Sequence, residues 1–236
     1  MQRRSRLIAL TAIAALVLLL AIALWPRPTA SPDPQTSSMP DASLPPDAPV
    51  AVFIGDSYTV GTGTSLDGSG FPAILGERRG WRVVNLAIPG TGYATGRADG
   101  LCPPAGCTAY IGMLADGAAH DPDVVIVSGG RNDLARQHLE PAVVAFYREL
   151  RQQLPDARLV VTSPLWDDSP TPQSLVELRR LVEREATAAG AEYLDLGDLF
   201  AGRPDLIAPD DLHPDEEGLA LIAARIDELL RSPLVE

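Results

Sequence analysis

From residue 50 onward, short apolar runs rich in Val, Ile and Leu alternate with longer stretches whose apolar positions recur at helical spacing. Five runs read as strands: Val50–Ile54, Trp81–Ile88, Asp123–Ser128, Arg158–Thr162 and Ala191–Leu196. They are mostly continuous rather than alternating, the pattern of parallel strands covered on both faces. Helices are predicted between them over 70–79, 108–120, 138–154 and 172–189, with a last one over 214–231. The clearest period is in LVELRRLVEREATAAG, where Leu175, Leu178, Leu181 and Val182 share one side and Gly190 supplies a stop. Strands alternating with helices predict an α/β fold, a three-layer α/β/α sandwich with a mainly parallel five-stranded sheet. No internal repeat suggests a solenoid or propeller.

The first 49 residues have a different pattern. Arg3, Arg4 and Arg6 precede an uncharged run from Leu7 to Trp25, which as a helix spans about 28 Å, roughly the apolar thickness of a bilayer. The positive flank keeps its own side cytoplasmic, so the chain beyond Trp25 is expected to face outward. Residues 1–25 are read as a signal-anchor or a signal peptide. Ala21-Ile22-Ala23 offers a cleavage site, while the length of the run favours an anchor. No Cys directly succeeds the run, so nothing suggests a lipoprotein. Residues 26–49, rich in Pro, Ser, Thr and Asp, cannot bury a core and read as a disordered linker. Residues 50–236 form the working domain.

Charge excludes one class of partner. The chain carries 19 basic residues, all Arg, against 31 acidic ones. So acidic a domain repels phosphate backbones, and nucleic acid is not an expected partner. Cys102 and Cys107 lie close together in LCPPAGC. In an exported domain they are expected to form a local disulfide, worth about 2 kcal/mol for so short a loop. Two free thiols or half a metal site are the alternatives, and no neighbouring His or acidic cluster supports a metal.

Candidate chemistry centres on VAVFIGDSYTVG, residues 50–61, where an apolar run ends at Gly55-Asp56-Ser57. A hydroxyl just past the end of a buried strand is where open α/β sheets place reactive groups. By itself Gly-Asp-Ser is equally an ordinary turn, and the chain has no G-x-S-x-G elbow. A serine nucleophile needs a base, and there are 3 histidines to choose from. His120 ends a helix and His138 begins one, so both read as surface residues. His213 lies in APDDLHPD, between Pro209 and Pro214, with Asp210 three residues earlier. Such an imidazole can show one nitrogen to a serine and the other to a carboxylate. Asp211 is the competing acid, expected to point away. The third strand ends in SGGRND, where two glycines allow close backbone approach and Asn132 offers an NH₂ donor; the second strand leads to Gly90, whose N–H could be unobstructed. Arg97 and Arg131 could meet an acidic group on a substrate, but solvation at the surface is the expected role of both.

Four blocks in order, Gly55-Asp56-Ser57, Gly90 after Asn85, Gly130-Arg131-Asn132-Asp133 and Asp210-x-x-His213, resemble the SGNH/GDSL hydrolase family over nearly all of residues 50–236. Tyr58 departs slightly from the usual wording after the serine. The resemblance implies the SGNH-hydrolase, flavodoxin-like sandwich and a serine esterase needing no cofactor and no metal. It implies Ser57 as nucleophile, His213 as base and Asp210 as orienting acid, with Ser57 N–H, Gly90 N–H and the Asn132 side chain as the oxyanion hole. Expected substrates are small esters, acylated glycans or lipids of the cell envelope. An acyltransferase sharing the acyl-enzyme, or a non-catalytic glycan-binding domain, is the alternative. No long apolar lid segment is seen, which favours short acyl chains. The oligomeric state is open.

Overall fold

The computed structural model describes residues 44–96, 108–134 and 136–230. The run from Leu7 to Trp25, most of the linker, Arg97 and the Cys102/Cys107 pair lie outside them. Among the described residues, no helix is long and apolar enough to cross a membrane.

Each predicted strand is present. They are β1 (Val50–Gly55), β2 (Arg82–Asn85), β3 (Val124–Ser128), β4 (Arg158–Thr162) and β5 (Glu192–Leu194). Every pairing is parallel, in the order β2-β1-β3-β4-β5. The helices are α1 (Ser57–Val60), α2 (Gly70–Arg79), α3 (Leu114–Ala119), α4 (Leu139–Gln153), α5 (Gln173–Ala188) and α6 (Glu216–Leu229). A 3₁₀ turn, Tyr110–Met113, runs directly into α3, so the stretch predicted as one helix over 108–120 is two.

Strand periodicity explains the layering. Ala51, Phe53, Val124, Ile126 and Val160 point to one face, where Phe71 and Leu75 of α2 and Leu219, Ile222 and Ile226 of α6 cover them. Val52, Ile54, Val125, Val127 and Val161 point to the other, under Leu114, Phe146, Leu150, Leu175, Leu178 and Val182. Each such fully buried side chain stabilises by about 1.5–3 kcal/mol, and because both faces are covered the strands read as unbroken apolar runs. β2 is shorter than its apolar run. Beyond Asn85 the chain still hydrogen-bonds to β1, from Leu86 N to Phe53 O (2.9 Å) and Ile88 N to Gly55 O (3.1 Å). The Asn85 side chain accepts the Ala87 N–H (3.2 Å), a local contact just beyond the strand.

The strand order fixes where ligands can bind. From β1 the chain moves outward to β2, then crosses back to β3 on the other side. The crossovers therefore diverge between β1 and β3, opening a crevice at their carboxyl ends. Gly55 is in register with Ser128 there, so the Asp56-Ser57 turn and the Gly129-Gly130 turn face one another.

Candidate active site

Ser57 opens α1, a single helical turn too short to register as a helical period. Asp56 caps it, accepting the Tyr58 N–H (3.1 Å), and the Gly61 N–H returns to Ser57 O (3.0 Å). As the first residue of a helical turn, Ser57 has an N–H without an intrahelical partner, and its residue is only 7% exposed. Asp56 reaches further than the cap. Its Oδ2 accepts the Gly130 N–H (3.2 Å) and faces the Tyr110 hydroxyl (3.4 Å). Full burial pushes its carboxyl above the ordinary value, against the opposing pull of the Tyr58 and Gly130 N–H groups. Thr59 Oγ1 adds a bond to Ser128 O (3.1 Å). The serine turn is thus fastened to the end of β3 from two directions.

The fastening depends on a glycine. Gly129 has φ +139°, and a Cβ there would clash with the Tyr110 oxygen and lie 2.5 Å from Asp56 Oδ2. Its missing side chain makes room for the buried carboxylate.

His213 and Asp210 are brought together as predicted. His213 Nδ1 lies 2.6 Å from Asp210 Oδ2, while Asp210 Oδ1 accepts the N–H groups of Leu212 (3.0 Å) and His213 (2.9 Å). Desolvation tends to raise the Asp210 carboxyl, but these bonds outweigh it and hold the group below the usual carboxylate range. An ionised carboxylate only accepts, so Nδ1 is the donor in this pair, the tautomer that in a neutral imidazole leaves the Nε2 lone pair free. Asp210 thus caps the loop with one oxygen and meets the imidazole with the other. The His213 side chain is 14% exposed. No hydrogen bond joins it to Ser57 Oγ in this structure. Asp211 bonds through its backbone to Ala208 O (3.0 Å) and is exposed. The His120 side chain lies 3.8 Å from Asp116 at the surface, and His138 is exposed before α4.

The segments bearing Gly90 and Asn132 are tied together by a second buried carboxylate. Asp133 accepts the N–H groups of Tyr93 (2.7 Å) and Ala94 (3.0 Å) and the Thr95 hydroxyl (2.8 Å). It therefore ties the loop bearing Gly90 to the turn bearing Asn132. Burial raises its carboxyl as well. Asn132 Nδ2 donates to Thr91 O (2.9 Å), which orients the amide and leaves its second hydrogen available. The Gly90 N–H has no partner among the described residues.

Arg131 departs from expectation. Its side chain is 9% exposed and is paired with Asp167 (2.9 Å). The guanidinium lies over the rings of Tyr58 (4.9 Å to the centroid) and Trp166 (4.3 Å). It is a buried structural cation, not a solvated one. The roles of Asp56, Asp133 and Asp167 escape the sequence for a shared reason: their partners are distant along the chain, and an acidic residue beside a turn otherwise reads as surface.

A family model described as GDSL-like Lipase/Acylhydrolase matches residues 53–221. The chain belongs to that family. It is accordingly an ester-hydrolysing serine hydrolase. GDSL lipase Rv0518 of Mycobacterium tuberculosis is 31% identical over 197 residues, covering 79% of this chain and 83% of the relative. Among solved structures, TesA superposes with a TM-score of 0.61 at 18% identity, covering 79% of this chain and 99% of its own. A catalytic mutant of Axe2, an acetylxylan esterase from Geobacillus stearothermophilus, gives 0.56 at 19% identity, covering 80% and 96%. These two likenesses concern the fold.

Proposed function

We propose that this chain is an extracytoplasmic esterase that removes short acyl groups from small esters, or from acylated glycans or lipids of the cell envelope, through Ser57, His213 and Asp210. The observation that carries the reading is the Asp210–His213 pair at 2.6 Å, in which Nδ1 faces the carboxylate and Nε2 is left for the serine. His213 Nε2 takes the Ser57 proton as Oγ attacks the ester carbonyl, and the developing imidazolium is stabilised by Asp210. The oxyanion is met by the N–H groups of Ser57 and Gly90 and by the Asn132 amide. The alcohol leaves with the proton from His213, and water then releases the acyl group by the reverse path. The missing Ser57–His213 bond suits a site without substrate, since such contacts commonly tighten only when substrate is bound.

Short acyl groups are favoured because the sequence holds no long apolar segment of the kind that lids a lipase site. A small cleft at the strand ends is lined by Asp56, Tyr58, Ser128, Gly129, Arg131 and Leu165. Export is supported by Arg3, Arg4 and Arg6 ahead of the run Leu7–Trp25 and by the Pro-rich stretch after it. The test is turnover of p-nitrophenyl esters from acetyl to palmitoyl by the full chain and its Ser57→Ala form. The expected result is a rate that falls with chain length and is lost in Ser57→Ala. Equal rates in the two proteins would overturn the serine mechanism. A palmitoyl optimum would place the chain nearer the lipase its mycobacterial relative is named for.

A further inference from the structure

The Asp210–His213 pair sits on an irregular loop, held locally by Ala208 N to His213 O (2.7 Å), Asp211 N to Ala208 O (3.0 Å) and a bridge between Ile207 and Pro214. These bonds lie within the loop. A tyrosine ties it to the serine turn. The Tyr58 hydroxyl donates to the Leu212 carbonyl (2.6 Å), across 154 residues of sequence, and Tyr58 immediately follows Ser57. Its ring also packs edge-on against the His213 imidazole, with centroids 6.0 Å apart, and against Phe200 at 6.3 Å.

The phenol is itself held in place. Arg131 Nη1 donates to the Tyr58 oxygen, so the single phenolic proton is committed to Leu212 O. Arg131 Nη2 donates to Asp167 Oδ2 (2.9 Å), and the guanidinium lies between the Tyr58 and Trp166 rings. Asp167 Oδ1 accepts the Ser169 N–H (3.0 Å), and the Trp166 Nε1–H donates to Ser169 Oγ (2.9 Å). Burial raises the Tyr58 hydroxyl well above its ordinary range, so it stays a donor. The result is one run of contacts, Asp167–Arg131–Tyr58–Leu212, from the ends of β4 and β3, through the residue after the nucleophile, to the one before the base.

We propose that Tyr58, braced by Arg131 and Asp167, is the positioning residue that sets His213 at working height over Ser57. This rests on His213 being the base. A base must lie within hydrogen-bond reach of the proton it removes, and about 1 Å of misplacement can cost two orders of magnitude in rate. Tyr58 thus couples the two halves of the site with a bond that neither half could make alone.

Tyr58→Phe in the full chain removes the donor and keeps the ring. The expected result for p-nitrophenyl acetate is a kcat about 10–100-fold lower with KM within about twofold. Labelling of Ser57 by a fluorophosphonate separates positioning from folding. The rate constant should fall by a similar factor while the amplitude stays at one label per chain. A rate constant within about twofold of wild type would overturn the proposal, and so would a loss confined to the amplitude. Should Tyr58→Phe fail to fold, Asp167→Asn decides, since it leaves Tyr58 intact while weakening the hold on Arg131. A several-fold loss of rate constant at full amplitude supports the bracing, and a wild-type rate constant overturns it. Ser57→Ala run alongside keeps the readings apart. Wild-type hydrolysis there would remove the serine mechanism itself, whereas its loss together with a wild-type Tyr58→Phe rate would remove only the positioning role.

Discussion

Asp56→Asn puts the buried carboxylate to a quantitative test. Asparagine has nearly the same shape and can keep an oxygen toward the Tyr58 N–H, now 3.1 Å from Oδ1. Its NH₂ then stands where Oδ2 accepts the Gly130 N–H at 3.2 Å. Two donors face each other, and the Gly130 N–H is left buried without an acceptor, at a cost of about 1–3 kcal/mol. A protonated aspartic acid avoids this conflict, because its hydroxyl oxygen can still accept while its proton is donated elsewhere. Asparagine cannot do both.

The pH dependence has a defined sign. Burial raises Asp56 in the folded protein above its ordinary value, so the folded state keeps this proton where the unfolded chain, releasing it near pH ~4, has lost it. The folded state binds more protons in that window, and stability due to Asp56 falls as pH rises through it, with a slope of at most about 1.4 kcal/mol per pH unit for one proton. The variant has no such group. Urea unfolding of both proteins from about pH 4 to about pH 8 should give the largest wild-type advantage at the acid end, narrowing as pH rises. Near the acid end a cost of about 2 kcal/mol corresponds to a Tm lower by about 4–8 °C for a domain of this size. An advantage that widens with pH would show Asp56 to be more easily ionised when folded, and would refute the assignment of desolvation as the dominant effect.

Two further substitutions probe the same region. Gly129→Ala should destabilise the domain by about 3 kcal/mol or more, because the added methyl would meet Tyr110 and Asp56 at a φ of +139°; thermal unfolding checks it, and a wild-type Tm would contradict the crowding. Asn132→Ala should lower kcat by about 10²–10³ with little change in KM, as expected for a donor to the oxyanion; a loss seen only in KM would make Asn132 a substrate-binding residue instead.

How much of the fold and the site is legible in the sequence depends on the range of the interactions involved. β1, β3 and β4 fall almost where their apolar runs predict, because burial on both faces leaves little choice of residue along the strand. Asp210 and His213 can be paired on paper because three residues of loop bring them into reach, and the structure places them 2.6 Å apart. The bracing of the site is another matter. Asp56 acts on a residue 74 positions away, Asp133 on one 40 away and Tyr58 on one 154 away. A linear pattern carries no trace of such contacts until the strand order β2-β1-β3-β4-β5 folds them onto one crevice.

Arg131 shows why residue type misleads in such a place. A lone arginine after a glycine pair reads as solvated, since a buried cation is costly without a partner. Here Asp167 supplies the partner and two aromatic rings cover the planar faces, so the cost is met by groups from β4 and from the serine turn. Charged residues at the strand ends of this chain are therefore better read by what the topology brings opposite them than by their own polarity. Asp210 and His213 are legible as a pair because their spacing is local, while the scaffold around them becomes legible only once the sheet is closed.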